Sequence, residues 1–140
     1  MSYDLMVFEP SAAPRDRVSF MAWYDKQMQW SEDHRYDDPE VTSKRLQAWF
    51  QEMIHSYPPM CGPLACDDVD DPKVTHYSIG RDVIYAAFSW SCAEDAYAAM
   101  RRLALQHKVG FFDVSAADGE IFFPHDGDDA APRKPWWKVW

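Results

Sequence analysis

The chain has 140 residues, which suits one domain with a single core, and its seven Trp, seven Tyr and eight Phe exclude a disordered chain. The net charge of −9 disfavours nucleic acid and anionic membranes, since both are bound largely through Lys and Arg. There is no apolar run near the ~20 residues that span a bilayer, no secretory signal pattern, and only three cysteines. We therefore expect a protein of the cytoplasm.

The first half of the chain predicts one strand and two helices. The apolar run Tyr3 to Phe8 is typical of a buried strand. A helix is expected from about Pro14 to Trp30, because apolar residues recur there at helical spacing: Val18, Met21, Tyr24 and Met28. A second helix, capped by Thr42 or Ser43, ends before Pro58. Its apolar stripe consists of Leu46, Trp49, Phe50, Met53 and Tyr57.

The second half predicts four strands around a third helix. The runs 74–79 and 82–90 indicate a hairpin, and 109–114 and 120–123 indicate a second one. Between them, Ser91 and Glu94 have the spacing of a capping box that opens the helix. The apolar face of that helix consists of Ala96, Met100, Leu103 and His107.

The order β-α-α-β-β-α-β-β contains two split βαβ units and predicts an α+β fold, a ferredoxin-like sandwich with a mostly antiparallel sheet. Right-handed crossovers would place all helices on one face and leave the other face partly open. We expect residues 1–124 to form this domain. Residues 125–140 read as an acidic, proline-containing linker and a tryptophan-rich tail, which either folds back onto the open face or docks on another chain.

Residues that could carry chemistry are scattered. Cys61 and Cys66 lack the further ligands of a zinc site, and Cys92 reads as a small residue at a helix start. The five histidines fall on separate elements or the tail, and His34, flanked by carboxylates, is the best candidate for a base. The sequence therefore predicts no catalytic residue, no metal and no cofactor.

Two acidic loops, 31–40 and 61–73, place aromatic or apolar residues beside carboxylates, with Met60 and Leu64 near the second loop. Protein interfaces use apolar anchors for affinity and surrounding charge for association rate. We expect these loops to bind a partner protein with a basic surface. The candidate contact residues are Trp30, Glu32, Asp33, Tyr36, Asp37, Asp38, Asp67, Asp68, Asp70 and Asp71.

Several segments resemble a group of small bacterial single-domain proteins. They are the opening strand Y-D-L-M-V-F, the W-F-x-E-M helix around Trp49, the Y-S-I-G turn from Tyr77, and the closing G-F-F-D strand from Gly110. The resemblance covers about residues 2–124. Some members of this group resemble immunity proteins, which neutralise toxins delivered by neighbouring cells. It implies a fold and a class of function, and no catalytic residue.

The leading hypothesis is an immunity-type inhibitor that binds and occludes a cognate toxin domain in the cytoplasm. One alternative is a small enzyme or metal-dependent hydrolase centred on His34 and the carboxylates beside it. Another is a structural or self-associating module that uses the tryptophans of the tail.

Overall fold

The computed structural model describes residues 2–32, 36–60, 71–116 and 119–124. Within these residues the chain forms one five-stranded sheet and three α-helices. The strands are β1 (Ser2–Phe8), β2 (His76–Ile79), β3 (Val83–Ser89), β4 (Gly110–Asp113) and β5 (Ile121–Phe122). The helices are α1 (Arg17–Gln27), α2 (Lys44–Ser56) and α3 (Ala93–His107), with short 3-10 turns at Pro39–Val41 and Trp90–Cys92.

The sheet has the order β2-β3-β1-β4-β5, and every neighbouring pair is antiparallel. Strand β3 lies between β1 and β2, and β1 lies between β3 and β4, so each helical crossover skips one strand. This is the arrangement of two interlocked split βαβ units. The predicted α+β class and antiparallel sheet are confirmed.

One face of the sheet is covered by α2 and α3. All five residues of the predicted α2 stripe are buried, with exposed fractions of 4% or less. Ser43 caps the helix by accepting from the N–H of Leu46. The indole N–H of Trp49 donates to the carbonyl of Met100 in α3 (3.3 Å), which satisfies the one polar atom of a fully buried ring.

The opposite face is covered by α1, so the prediction that all helices lie on one face is wrong for this helix. Phe20 packs against Phe8 and Phe112, with ring centroids 5.0 and 5.1 Å apart. The physical reason lies in β1, where the four residues from Leu5 to Phe8 are all fully buried. A strand that is apolar on both sides needs cover on both sides.

The start of α3 also differs from the prediction. Ser91 lies inside the 3-10 turn and the helix begins at Ala93, with Cys92 as its cap residue and no side-chain cap bond. The capping box is therefore not formed. In the parts of the chain that the structure describes, no helix is long and apolar enough to cross a membrane. Residues 125–140 lie outside those parts.

Candidate protein-binding surfaces

The loop after α1 is fixed to the end of the β2–β3 hairpin by main-chain contacts. The N–H of Ile79 donates to the carbonyl of Tyr36 (2.8 Å), and the N–H of Arg81 donates to Oε1 of Glu32 (3.0 Å). The hairpin itself closes through the N–H of Gly80 and the carbonyl of Val83 (2.8 Å). The loop thus rests on a tight turn of the sheet.

Trp30 and Tyr36 form an aromatic pair on this loop. Their ring centroids are 5.0 Å apart and nearly perpendicular. The Tyr36 hydroxyl accepts from the N–H of Glu32 (2.7 Å) and donates to its carbonyl (3.0 Å). Trp30 has φ 49°, in the left-handed region, which costs a non-glycine residue about 1–2 kcal/mol. Such conformations persist where surrounding contacts enforce them, often at functional sites.

Carboxylates follow the aromatic pair along the same loop. Asp38 caps the 3-10 turn by accepting from the N–H of Glu40 (2.9 Å), and Asp37 precedes it on the same loop. Burial, followed by repulsion from Glu32 and Glu9, raises the pKa of Asp82 above its usual value. Arg81 on the same turn opposes this rise in the pKa, so the shift shows that two carboxylates lie close to Asp82 in a half-buried site.

The described parts of the two predicted acidic loops lie at opposite ends of β2. In the described part of the second loop, Asp71 accepts from the N–H groups of Lys73 (2.9 Å) and Val74 (3.0 Å). The Cys92 thiol donates to the carbonyl of Pro72 (3.5 Å), which places this turn beside the start of α3. Strand β2 separates it from Tyr36 by roughly 13 Å, at ~3.3 Å per strand residue.

Several predicted residues fall outside the part of the chain that the structure describes. They are Asp33, Asp67, Asp68 and Asp70, together with His34, Cys61, Cys66 and Leu64. Among the described residues, no three His, Cys, Asp or Glu side chains are grouped so that they could hold a metal ion. The contacts in this structure therefore bring together Trp30, Glu32, Tyr36, Asp37 and Asp38 from the predicted set.

A second aromatic pair, not predicted from the sequence, lies at the opposite end of the sheet. Trp90 is 51% exposed and packs edge-on against Tyr3, with ring centroids 5.1 Å apart. The Tyr3 hydroxyl donates to both carboxylate oxygens of Asp113 (2.9 and 3.1 Å). Burial and this carboxylate raise the pKa of Tyr3 above its usual value, so the phenol stays protonated.

The chain was compared with protein-family models, curated proteins and solved structures, and none of them matches it. The resemblance to small bacterial proteins therefore stays an expectation from the sequence.

Proposed function

We propose that the protein is an immunity-type inhibitor, which binds and occludes a cognate toxin domain in the bacterial cytoplasm. The observation that carries this proposal is the Trp30–Tyr36 pair, held on the hairpin turn and flanked by carboxylates. A pair that is already ordered loses little side-chain entropy when a partner binds. Aromatic anchors of this kind supply much of the affinity of protein interfaces.

The surrounding charge specifies the partner. Glu32, Asp37, Asp38 and Glu40 follow Trp30 within the same loop, and the whole chain carries a net charge of −9. A partner with a basic surface would be steered to this end of the sheet, which raises the association rate more than the final affinity. A toxin that acts on nucleic acid or on another anionic substrate would present such a surface. Occlusion would follow because the inhibitor competes for the same basic residues.

The test is affinity capture from the native cytoplasm at low salt, with the wild-type chain and the Trp30→Ala variant as baits. We expect a stoichiometric basic partner on the wild-type bait, released by high salt, and at least about tenfold less of it on the variant, because interface tryptophans are frequent hot spots. A partner captured equally by both baits would contradict the proposed contact. Capture of no partner by the wild-type bait from cells that encode the toxin would contradict the function.

Association rates measured with the captured partner distinguish the contribution of the loop carboxylates from that of the aromatic anchor. The Asp37→Asn/Asp38→Asn double variant should slow association severalfold at low salt, with little effect at high salt. The matched control is Asp25→Asn/Glu52→Gln, which removes two carboxylates from α1 and α2, outside the loop sequence. An equal slowing in both variants would show that only the net charge matters.

A further inference from the structure

Trp90 is a half-exposed aromatic residue directly after the end of β3. Among the described residues, the large hydrophobic side chains with substantial exposure are Val18, Met60, Trp90 and Leu105, and Trp90 is the one aromatic ring in this group. Along β3, Ile84, Ala86 and Phe88 face the core under α2 and α3. Trp90 follows Phe88 by two residues, just beyond the strand, and half of its side chain meets solvent.

The surroundings of Trp90 are ordered by main-chain contacts that do not involve its side chain. Ser2 pairs with Ser89 and Tyr3 with Phe88 at the end of the β1–β3 ladder. The N–H of Ala93 donates to the carbonyl of Trp90, which closes the 3-10 turn. The ring is therefore presented on a fixed backbone, and its ordering cost on binding is small.

The surface continues from Tyr3 along the edge of the first face. Tyr97 donates to Glu120 (2.8 Å), and Arg101 makes a two-pronged ion pair with the same carboxylate (2.8–3.0 Å). Arg101 also lies over the ring of Phe122, 4.6 Å from its centroid. Tryptophan, tyrosine and arginine are the residue types enriched at binding hot spots. Here the two groups are linked through Asp113, which accepts from Tyr3 and whose N–H donates to the carbonyl of Glu120 (2.9 Å).

The charge of this region is negative. Glu94 and Asp95 lie in the first turn of α3, directly after the 3-10 turn that holds Trp90. The Asp71 turn contacts Cys92, and its one cation, Lys73, lies over the ring of Tyr57 (5.9 Å). Residues 82–100 contain no Lys or Arg. The nearby cations Arg101 and Lys73 already lie over other rings, so an exposed indole with carboxylates beside it is complementary to a positively charged side chain of a partner.

We propose that Trp90 and Tyr3 form a second binding surface, which takes a cationic segment of a partner protein with an arginine or lysine side chain lying on the indole. The surface is separate from the Trp30–Tyr36 loop and does not depend on its proposed role. A second copy of this chain fits less well, because it would bring two negatively charged surfaces together.

The test is an NMR titration of the full chain with a capped Gly-Arg-Gly-Arg-Gly peptide. The same peptide with citrulline in place of arginine is the control, since citrulline keeps the shape and removes the charge. The indole N–H signal of Trp90 is assigned by its loss in Trp90→Phe. We expect this signal to shift and saturate with the arginine peptide, and affinity to fall at least about threefold with the citrulline peptide or in Trp90→Ala.

The variant control is Leu105→Ala, which removes another exposed apolar side chain on α3 and should bind as the wild type does. An unmoved Trp90 signal would overturn the surface, whether or not Trp30 responds. Equal shifts with both peptides would overturn the cationic partner. Shifts that depend on protein concentration without peptide would identify a second copy as the occupant and would also overturn the proposal.

Discussion

The two ends of the sheet each carry a tryptophan packed edge-on against a tyrosine, and the two pairs are held in different ways. Trp30 and Tyr36 are held by main-chain bonds of a loop with a left-handed backbone. Trp90 and Tyr3 are held by strand ends and by the carboxylate of Asp113, which is only 6% exposed. Similar aromatic geometry thus arises from loop chemistry at one end and from the sheet core at the other.

The two tryptophans differ in how much each contributes to the core. Trp30 also packs on the second-face core and lies 6.4 Å from the ring of Tyr85, so it serves the fold as well as the surface. Trp90 belongs to neither core cluster. Because Trp90 is half exposed and outside both core clusters, its ring can contact a partner without disturbing the core.

The largest contrast is expected from truncating the two tryptophans. Trp30→Ala should lower the free energy of unfolding by about 2 kcal/mol, because its half-buried ring leaves a gap beside Tyr85. Trp90→Ala should lower it by less than about 1 kcal/mol, as surface substitutions do. Urea denaturation of both variants measures the difference. Equal losses would mean that Trp90 is a structural residue, and the reason for assigning it to binding would disappear.

The sequence predicted helices best where one face alone is apolar. In α2 the five predicted residues are all buried, because polar residues fill the rest of the helix. In α1 apolar residues occur on more than one side, and the prediction chose a stripe through Val18, which is 82% exposed, whereas Phe20 is fully buried. The continuous apolar run of β1 was the signal that a helix must cover the second face.

The sequence located the acidic loops but could not relate them in space. Which end of β2 each loop reaches depends on the direction of that strand and on the path of the chain before it. The 31–40 loop reaches the C-terminal end, where Tyr36 bonds Ile79, whereas the turn at Asp71 leads into the N-terminal end. Trp90 was missed because alternation along β3 places it on the core side. Its exposure depends on how far α2 and α3 extend over that face of the sheet, which is decided by tertiary packing.

A smaller contrast is expected from removing the two tyrosine hydroxyls. Tyr3→Phe takes away the donor to the buried Asp113 carboxylate, and leaving a buried acceptor unsatisfied costs about 1–3 kcal/mol. Tyr36→Phe removes bonds to the half-exposed backbone of Glu32, which water can replace, so we expect about 0.5–1 kcal/mol. Chemical denaturation at neutral pH tests the order. A larger loss from Tyr36→Phe would show that the loop, and not Asp113, depends more on its phenol.

The smallest effect should appear only at acid pH. Burial alone would raise the pKa of Glu120, but hydrogen bonds from Arg101 and Tyr97 outweigh it and hold that pKa below its usual value. A carboxyl group with a depressed folded-state pKa stabilises the protein above its unfolded pKa of about 4.3 and loses that contribution as the pH falls through the folded value.

The stability difference between wild type and Glu120→Gln should therefore be under about 1 kcal/mol at pH 7, since the pair is partly solvated, and should shrink below about pH 4. In Arg101→Met, burial is no longer offset by the guanidinium, so the folded-state pKa of Glu120 should rise toward or above its unfolded value, and the acid-induced loss from this group should shrink or disappear. Unfolding free energies measured by urea denaturation across this range test both statements. If the stability difference between wild type and Glu120→Gln does not change with pH, the Glu120 side chain stabilises the fold through packing and neutral hydrogen bonds, and its charge contributes nothing. The group of Tyr97, Arg101 and Glu120 would then be held together by packing alone.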